Sequence, residues 1–237
     1  MLSLIIFIPL IAALALLMVS RESVAAIKTV GVGAAAASFA LSLWLLFSFD
    51  TANPGMQFVQ TFHWVPALHI NYLVGVDGIS LWMVVLTAFL GLLAVMLSFS
   101  QKEGLRNFVA LILALEAGTL GVFLALDTIL FYVFWELMLV PTYFLIGIWG
   151  EGRRVYATMK FVIYTLVGSL LMLVAIVSLT MVHYGATHDV TFDLRVLTLT
   201  HIDPSMQIWM FLCFFLAFAI KVPVFPLHSW LPHAYVA

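Results

Sequence analysis

Trp209-Met210-Phe211-Leu212-Cys213-Phe214-Phe215-Leu216-Ala217-Phe218-Ala219-Ile220-Lys221-Val222-Pro223-Val224-Phe225-Pro226 is an apolar run that closes on a lysine and then on two prolines. Lipid cannot hydrate the Lys221 ammonium. A cation at membrane depth is costly, so such residues face a bundle interior or a wet cavity and pair with an acid or with backbone carbonyls. Pro223 and Pro226 carry no N–H, so the carbonyls of Ala219 and Val222 lose their usual helical donors. Broken helices are tolerated at this depth only where protein or a cavity surrounds them, and transporters place ion sites there.

Outward from this stretch the composition is equally one-sided. Of 237 residues, 65% are hydrophobic and 8% charged, and the mean hydropathy is strongly positive. A water-facing globular surface is excluded and the membrane class follows. Apolar runs at 2–19, 29–49, 79–99, 107–126, 128–149, 156–182 and 207–220 are each long enough, or nearly so, to cross a hydrocarbon core needing roughly 20 helical residues. The expected fold is an all-α, polytopic transmembrane helix bundle of about seven spans with a discontinuous seventh helix. The first run starts directly after Met1 with no basic leader region or cleavage site, and reads as a retained span.

Loop charges give an orientation. Taking every run as a span, the loops on one side hold Arg21, Lys28, Lys102, Arg106, Arg153 and Arg154, against Arg195 alone on the other. Positive residues favour the cytoplasm, which puts the N-terminus outside. A formal net charge of −2 leaves no nucleic-acid footprint. Cys213, the one cysteine, supports neither a disulfide framework nor a four-cysteine metal site. His63, His69, His183, His188 and His201 fall in the outer loops without zinc spacing and read as ordinary polar loop residues. No metal or cofactor is expected. Gly31-Val32-Gly33-Ala34-Ala35-Ala36 matches a loose dinucleotide-binding pattern, but no strand precedes it and it lies inside a span, where small residues serve close helix packing.

Glu136, central in the run 128–149, is the obvious acid for Lys221. Tyr132, Glu136, Leu139 and Tyr143 share one helical face. Pro141 frees the Leu137 carbonyl and favours a bend beside the acid. At about 1.5 Å per residue, Glu136 lies about 12 Å and Lys221 about 21 Å from the outer ends of their spans. A lysine side chain and a bridging water span much of that difference. Three further residues are candidates for a proton path. Glu116 is central in the fourth span beside Ala117-Gly118, and reads equally as a proton site or a structural partner. Lys160 lies near the cytoplasmic end of the sixth span on a face with Tyr156 and Tyr164, where snorkelling is the simpler alternative. His228 follows the break, where a plain polar contact explains it equally well.

These residues carry a family resemblance. Trp135-Glu136-Leu137-Met138-Leu139-Val140-Pro141-Thr142-Tyr143-Phe144, followed by Arg154, Tyr156-Ala157, Lys160-Phe161, Tyr164-Thr165 and Gly168-Ser169, resembles the antiporter-like membrane subunits of NADH:quinone oxidoreductase, complex I. Gly75-Val76-Asp77-Gly78-Ile79-Ser80 and the stretch from Lys221 to Pro232 are similar to the same family. The resemblance implies a proton-translocating subunit without a redox centre, in which Glu136 and Lys221 form a switch. It also implies other membrane-arm subunits as partners, alongside lipid and protons, in a bacterial inner membrane. It further implies a division into a three-helix segment at 1–100 and an incomplete first antiporter-like repeat at 101–237. Related subunits of sodium–proton antiporters and membrane-bound hydrogenases share the broken helix, and a non-transporting scaffold holding a structural ion pair is a further alternative. Members of the family are about twice as long, so the chain reads as an N-terminal piece. Leu231-Pro232-His233-Ala234-Tyr235 departs from the family's usual Leu-Pro-Asp-Ala-His, which affects hydrogen bonding after the break.

Overall fold

A computed structural model describes residues 1–236. In chain order the elements are α1 (Leu2–Met18), α2 (Val24–Ser48), the strands β1 (Gln57–Val65) and β2 (Ile70–Val76), and α3 (Gly78–Leu97). Then come α4 (Leu105–Leu124), α5 (Thr128–Leu137), α6 (Leu139–Trp149), α7 (Arg154–Thr187), α8 (Leu194–Leu197), α9 (Pro204–Lys221) and α10 (Trp230–Val236). Among the described residues, six helical segments are long and apolar enough to cross a membrane, with α5 and α6 together making one of them. The 17-residue α1 is apolar and at the short end of the spanning range. The transmembrane helix bundle is therefore as expected, and large apolar side chains such as Ile11, Phe47, Leu86 and Phe211 remain exposed on its helices.

The β1–β2 hairpin is an addition to the all-α expectation. Phe58, Val59, Phe62, Trp64 and Val65 on one side and Ile70, Tyr72 and Val74 on the other are strand-favouring residues, and Pro66–Leu68 forms the turn between them. His69 closes that turn in the left-handed region, and His63 Nδ1 meets Asn71 Oδ1 across the strands at 2.9 Å.

Packing divides the chain into two compact units, residues 1–61 with 73–125 and residues 62–72 with 126–237. The first unit takes in α4, which packs chiefly on α1 and α3. In the first unit, Ala12, Leu16, Ile27, Ala35, Val95, Val109 and Leu113 form a buried core. Gly31 sits where a Cβ would come within 2.8 Å of Val109 Cγ1, whereas a Cβ on Gly33 would meet nothing within 4 Å. The glycine motif is thus a packing contact at Gly31 only. Asp77 starts α3 with a capping box, accepting from Ser80 N at 2.7 Å while Ser80 Oγ accepts from Asp77 N at 2.9 Å. Burial opposes the Asp77 charge, but the Ser80 and Ile79 donors outweigh it and hold the carboxyl below the usual carboxylate range.

In the second unit, Asp127 starts α5. Its Oδ1 accepts from Ile129 N and Leu130 N at 2.9 and 3.0 Å, and its Oδ2 from Asn71 N at 3.0 Å. Burial raises its carboxyl above the ordinary value despite these donors. The span predicted as one helix over 128–149 is interrupted at Met138, which keeps helical dihedrals (φ −66°, ψ −23°). Pro141 denies the Leu137 carbonyl its donor, and the ladder lapses there. Helix α7, at 34 residues, outlasts the hydrocarbon core. His183 consequently lies within this helix, buried and paired through Nδ1 with Thr200 Oγ1 at 2.8 Å, and not in a loop as the sequence suggested.

Gly31→Val is expected to lower stability by about 1–3 kcal/mol through overpacking, while Gly33→Val leaves it nearly unchanged. Thermal unfolding of the two variants in detergent checks the contrast, and equal effects would contradict the packing assignment.

Candidate functional site at the broken helix

Helix α9 ends at Lys221, and the chain re-forms as a short 3₁₀ turn at Leu227–Ser229 before α10. The Ala219 carbonyl stranded by Pro223, and its neighbours at the end of α9, are handled locally. Val224 N donates to Ala219 O at 2.8 Å, in place of the absent Pro223 donor, and Val222 N closes the helix on Phe218 O at 2.8 Å. The indole of Trp230 folds back and donates Nε1–H to Ile220 O at 2.8 Å. Trp230 is buried, with its ring against Phe161 of α7 at 5.3 Å between centroids. It fixes where α9 stops and so where the Lys221 side chain begins.

The Lys221 ammonium lies over the ring of Trp135 on α5, 5.1 Å from the centroid. An aromatic face is a favourable place for a poorly hydrated cation. Trp135 is held in turn by an edge-on contact with Phe218 of α9 at 5.6 Å and by Phe131 at 5.7 Å. Glu136, the next residue along α5, is within electrostatic reach of Lys221. Among the described residues no Glu136 oxygen comes within 4.0 Å of the lysine nitrogen. Its Oε1 is buried without a hydrogen-bond partner. Tyr132, one turn earlier, also lies within electrostatic reach of Glu136. The structure thus brings the two sequence-predicted residues within electrostatic reach without direct contact, and the ammonium lies over an indole face.

Lys160 does more than snorkel. Its Nζ donates to Ser229 O at 2.8 Å and lies 3.4 Å from His233 Nδ1. The rings of Tyr164 and Tyr156 sit 5.8 and 6.0 Å from the ammonium. Ser229 Oγ donates to Tyr164 Oη at 2.9 Å, and His233 Nδ1 reaches Ser229 O at 2.8 Å. Lys160 therefore fastens α7 to the segment beyond the break, through a carbonyl and not through an acid at position 233. His228 lies in the same turn, its ring 5.5 Å from that of Phe225 and its buried Nδ1 without a partner. Glu116, in the first unit, is 4% exposed with both oxygens lacking hydrogen bonds. It is pressed against α3 at Gly91, where a Cβ would lie 2.6 Å from Oε2. The structural-partner reading of Glu116 finds no hydrogen-bonding partner there.

The carboxyl-terminal part of the chain, residues 125–237, matches the family model described as NADH:quinone oxidoreductase/Mrp antiporter, TM. Over that region the chain is similar to this transmembrane family. NADH-quinone oxidoreductase subunit M of Rhodobacter capsulatus is 44% identical over 248 residues, covering 100% of the chain and 48% of the relative. The F(420)H(2) dehydrogenase subunit M of Methanosarcina mazei is 39% identical over 239 residues, covering 98% and 48%. Among solved structures, a chain of respiratory complex I from Thermus thermophilus with bound NADH superposes with a TM-score of 0.85 at 32% identity, over 99% of this chain and 47% of that one. The chain spans about half the length of these relatives.

Sequence reasoning found both charges of the pair but not Trp135 or Trp230. Tryptophans in apolar runs look like packing residues. The usable signals were a tryptophan next to the intramembrane acid and another, nine residues after Lys221, past two prolines that strand carbonyls needing an N–H.

Trp230→Phe keeps the ring but removes the donor to Ile220 O, an expected loss of about 1–3 kcal/mol for a buried unsatisfied carbonyl. Thermal unfolding of the membrane-embedded variant measures it, and wild-type stability would rule out the staple.

Proposed function

We propose that this chain is a proton-translocating membrane subunit of an NADH:quinone oxidoreductase, with the Glu136–Lys221 pair as its switch. The observation that carries the reading is the Lys221 ammonium at a helix break, over Trp135 and within reach of a Glu136 carboxylate that has an unpaired buried oxygen. The kinship with subunit M chains supports the choice of enzyme. An ionised Glu136 stabilises a protonated Lys221, and withdrawing one from the other releases the proton; the two titrate as a unit. Because the ammonium already rests on an indole and not on the carboxylate, a small side-chain or helix movement changes the coupling without breaking a contact ion pair. Moving one charge through the membrane potential involves about 2.3 kcal/mol per 100 mV, a scale that conformational changes elsewhere in a redox complex supply.

In this reading Lys160 and His228 continue the path beyond the break, and Glu116 serves the first unit. Electron transfer takes place on other chains, and this one carries no redox cofactor. Its partners are other membrane-arm subunits, its place is a bacterial inner membrane with the N-terminus outside, and residues 101–237 belong to the first antiporter-like repeat. A second reading, an equivalent subunit of an Mrp-type antiporter or of another dehydrogenase, is favoured by the shared family model and by the F(420)H(2) dehydrogenase relative. The subunits that co-purify with the chain separate the two.

Glu136→Gln and Lys221→Ala, each in the assembled full-length enzyme, are expected to cut protons moved per electron to a small fraction of wild type while assembly persists. Unchanged stoichiometry in intact complex would refute the switch. Failed assembly, with normal turnover in whatever complex forms, would favour a structural ion pair.

A further inference from the structure

Four of the nine Lys and Arg residues, Arg21, Lys28, Lys102 and Arg106, line one cavity of about 290 Å³ in the first unit, and none of the residues lining it is acidic. Glu22 and Glu103 follow Arg21 and Lys102 in the chain but are not part of its wall. Two of the cations are held in position. Arg106 Nη1 donates to Leu17 O at 3.2 Å and to Val19 O at 3.0 Å, closing the carboxyl end of α1, and its Nε donates to Asn107 Oδ1 at 3.1 Å. The Lys28 ammonium stands 4.9 Å from the centroid of the Phe99 ring. These contacts orient Arg106 and Lys28 through carbonyl, amide and ring partners.

We propose that this cavity binds a phosphate-bearing anion, the headgroup phosphate of an anionic phospholipid. Like charges gathered in one concavity, with no acid in its wall, call for an anion. A phosphate fits both the volume and the donors of Arg and Lys. The position favours lipid over a soluble ion. The cavity opens where α2 and α4 start and the segment after α3 ends, among apolar wall residues Val24, Phe99 and Leu105, so an occupant there has its phosphate among cations and its glycerol beside apolar side chains. Basic pockets between transmembrane helices near the headgroup level are suited to such lipids. The inference rests on the first unit alone and is independent of the proton-transfer reading.

The test is native mass spectrometry of the delipidated assembly containing the full-length subunit, titrated separately with phosphatidylglycerol, phosphatidylcholine and inorganic phosphate. Phosphatidylglycerol is expected to bind in preference to phosphatidylcholine, and Lys28→Gln with Lys102→Gln to weaken it roughly 25-fold, from about fivefold per cation removed. Lys28→Arg with Lys102→Arg retains binding and shows that the neutralised variant fails through charge and not through folding. Inorganic phosphate saturating the site at the expense of phosphatidylglycerol would keep the anion site and assign it to a soluble ion. Equal binding of both lipids, no effect of neutralisation, or neutralisation that releases a protein subunit without changing lipid retention would overturn the proposal.

Discussion

An ammonium group at membrane depth is stable only if protein supplies what water would, and the second unit is arranged around that constraint. Lys221 ends α9 because Pro223 and Pro226 prevent the helix from continuing. The carbonyls released by that ending are taken up by Val224 N and by the Trp230 indole. The ammonium is then received by the face of Trp135, with the charge of Glu136 within reach. Each of these features depends on the one before. Were Trp230 not to cap Ile220, the position of the break would be loose; were the break loose, the lysine would have no fixed relation to α5.

The tie through Lys160 extends the same logic. A second cation, on α7, is bound to the carbonyl of Ser229, flanked by two tyrosines and approached by His233. The segment past the break is thus fastened to α7 at Lys160 and to the end of α9 at Trp230. His228, with an unpartnered buried nitrogen, immediately precedes both attachment points, Ser229 and Trp230, in sequence. A polar, partly unsatisfied patch beside a broken helix is costly in a purely structural element and suited to passing protons.

Much of this was legible before any coordinates. Apolar run lengths specified the spans, and the charge of Glu136 and Lys221 inside such runs marked them, because uncompensated charge in lipid is rare. Pro141 announced the interruption at Met138. Other features were hidden for physical reasons. The β1–β2 hairpin lies in a segment whose aromatic and β-branched residues are masked by the hydrophobicity of the whole chain. Helix α7 runs beyond its apolar core because helices do not end where the membrane does, which moved His183 from loop to helix. The placement of Trp135 under the ammonium depends on the rotation of α5 against α9, and run lengths do not encode it. Glu116 was visible as a buried acid, but its packing against Gly91 required the pairing of α3 with α4.

The central claim is that Glu136 and Lys221 behave as one titrating system across the Trp135 face. Isotope-edited infrared titration measures this directly in the assembled full-length subunit carrying labelled glutamate, with the Glu136 band assigned by its loss in Glu136→Gln. Coupling predicts that Lys221→Met moves the midpoint of that band by about one pH unit or more. A midpoint that stays where it was, in protein that remains assembled, would contradict the account.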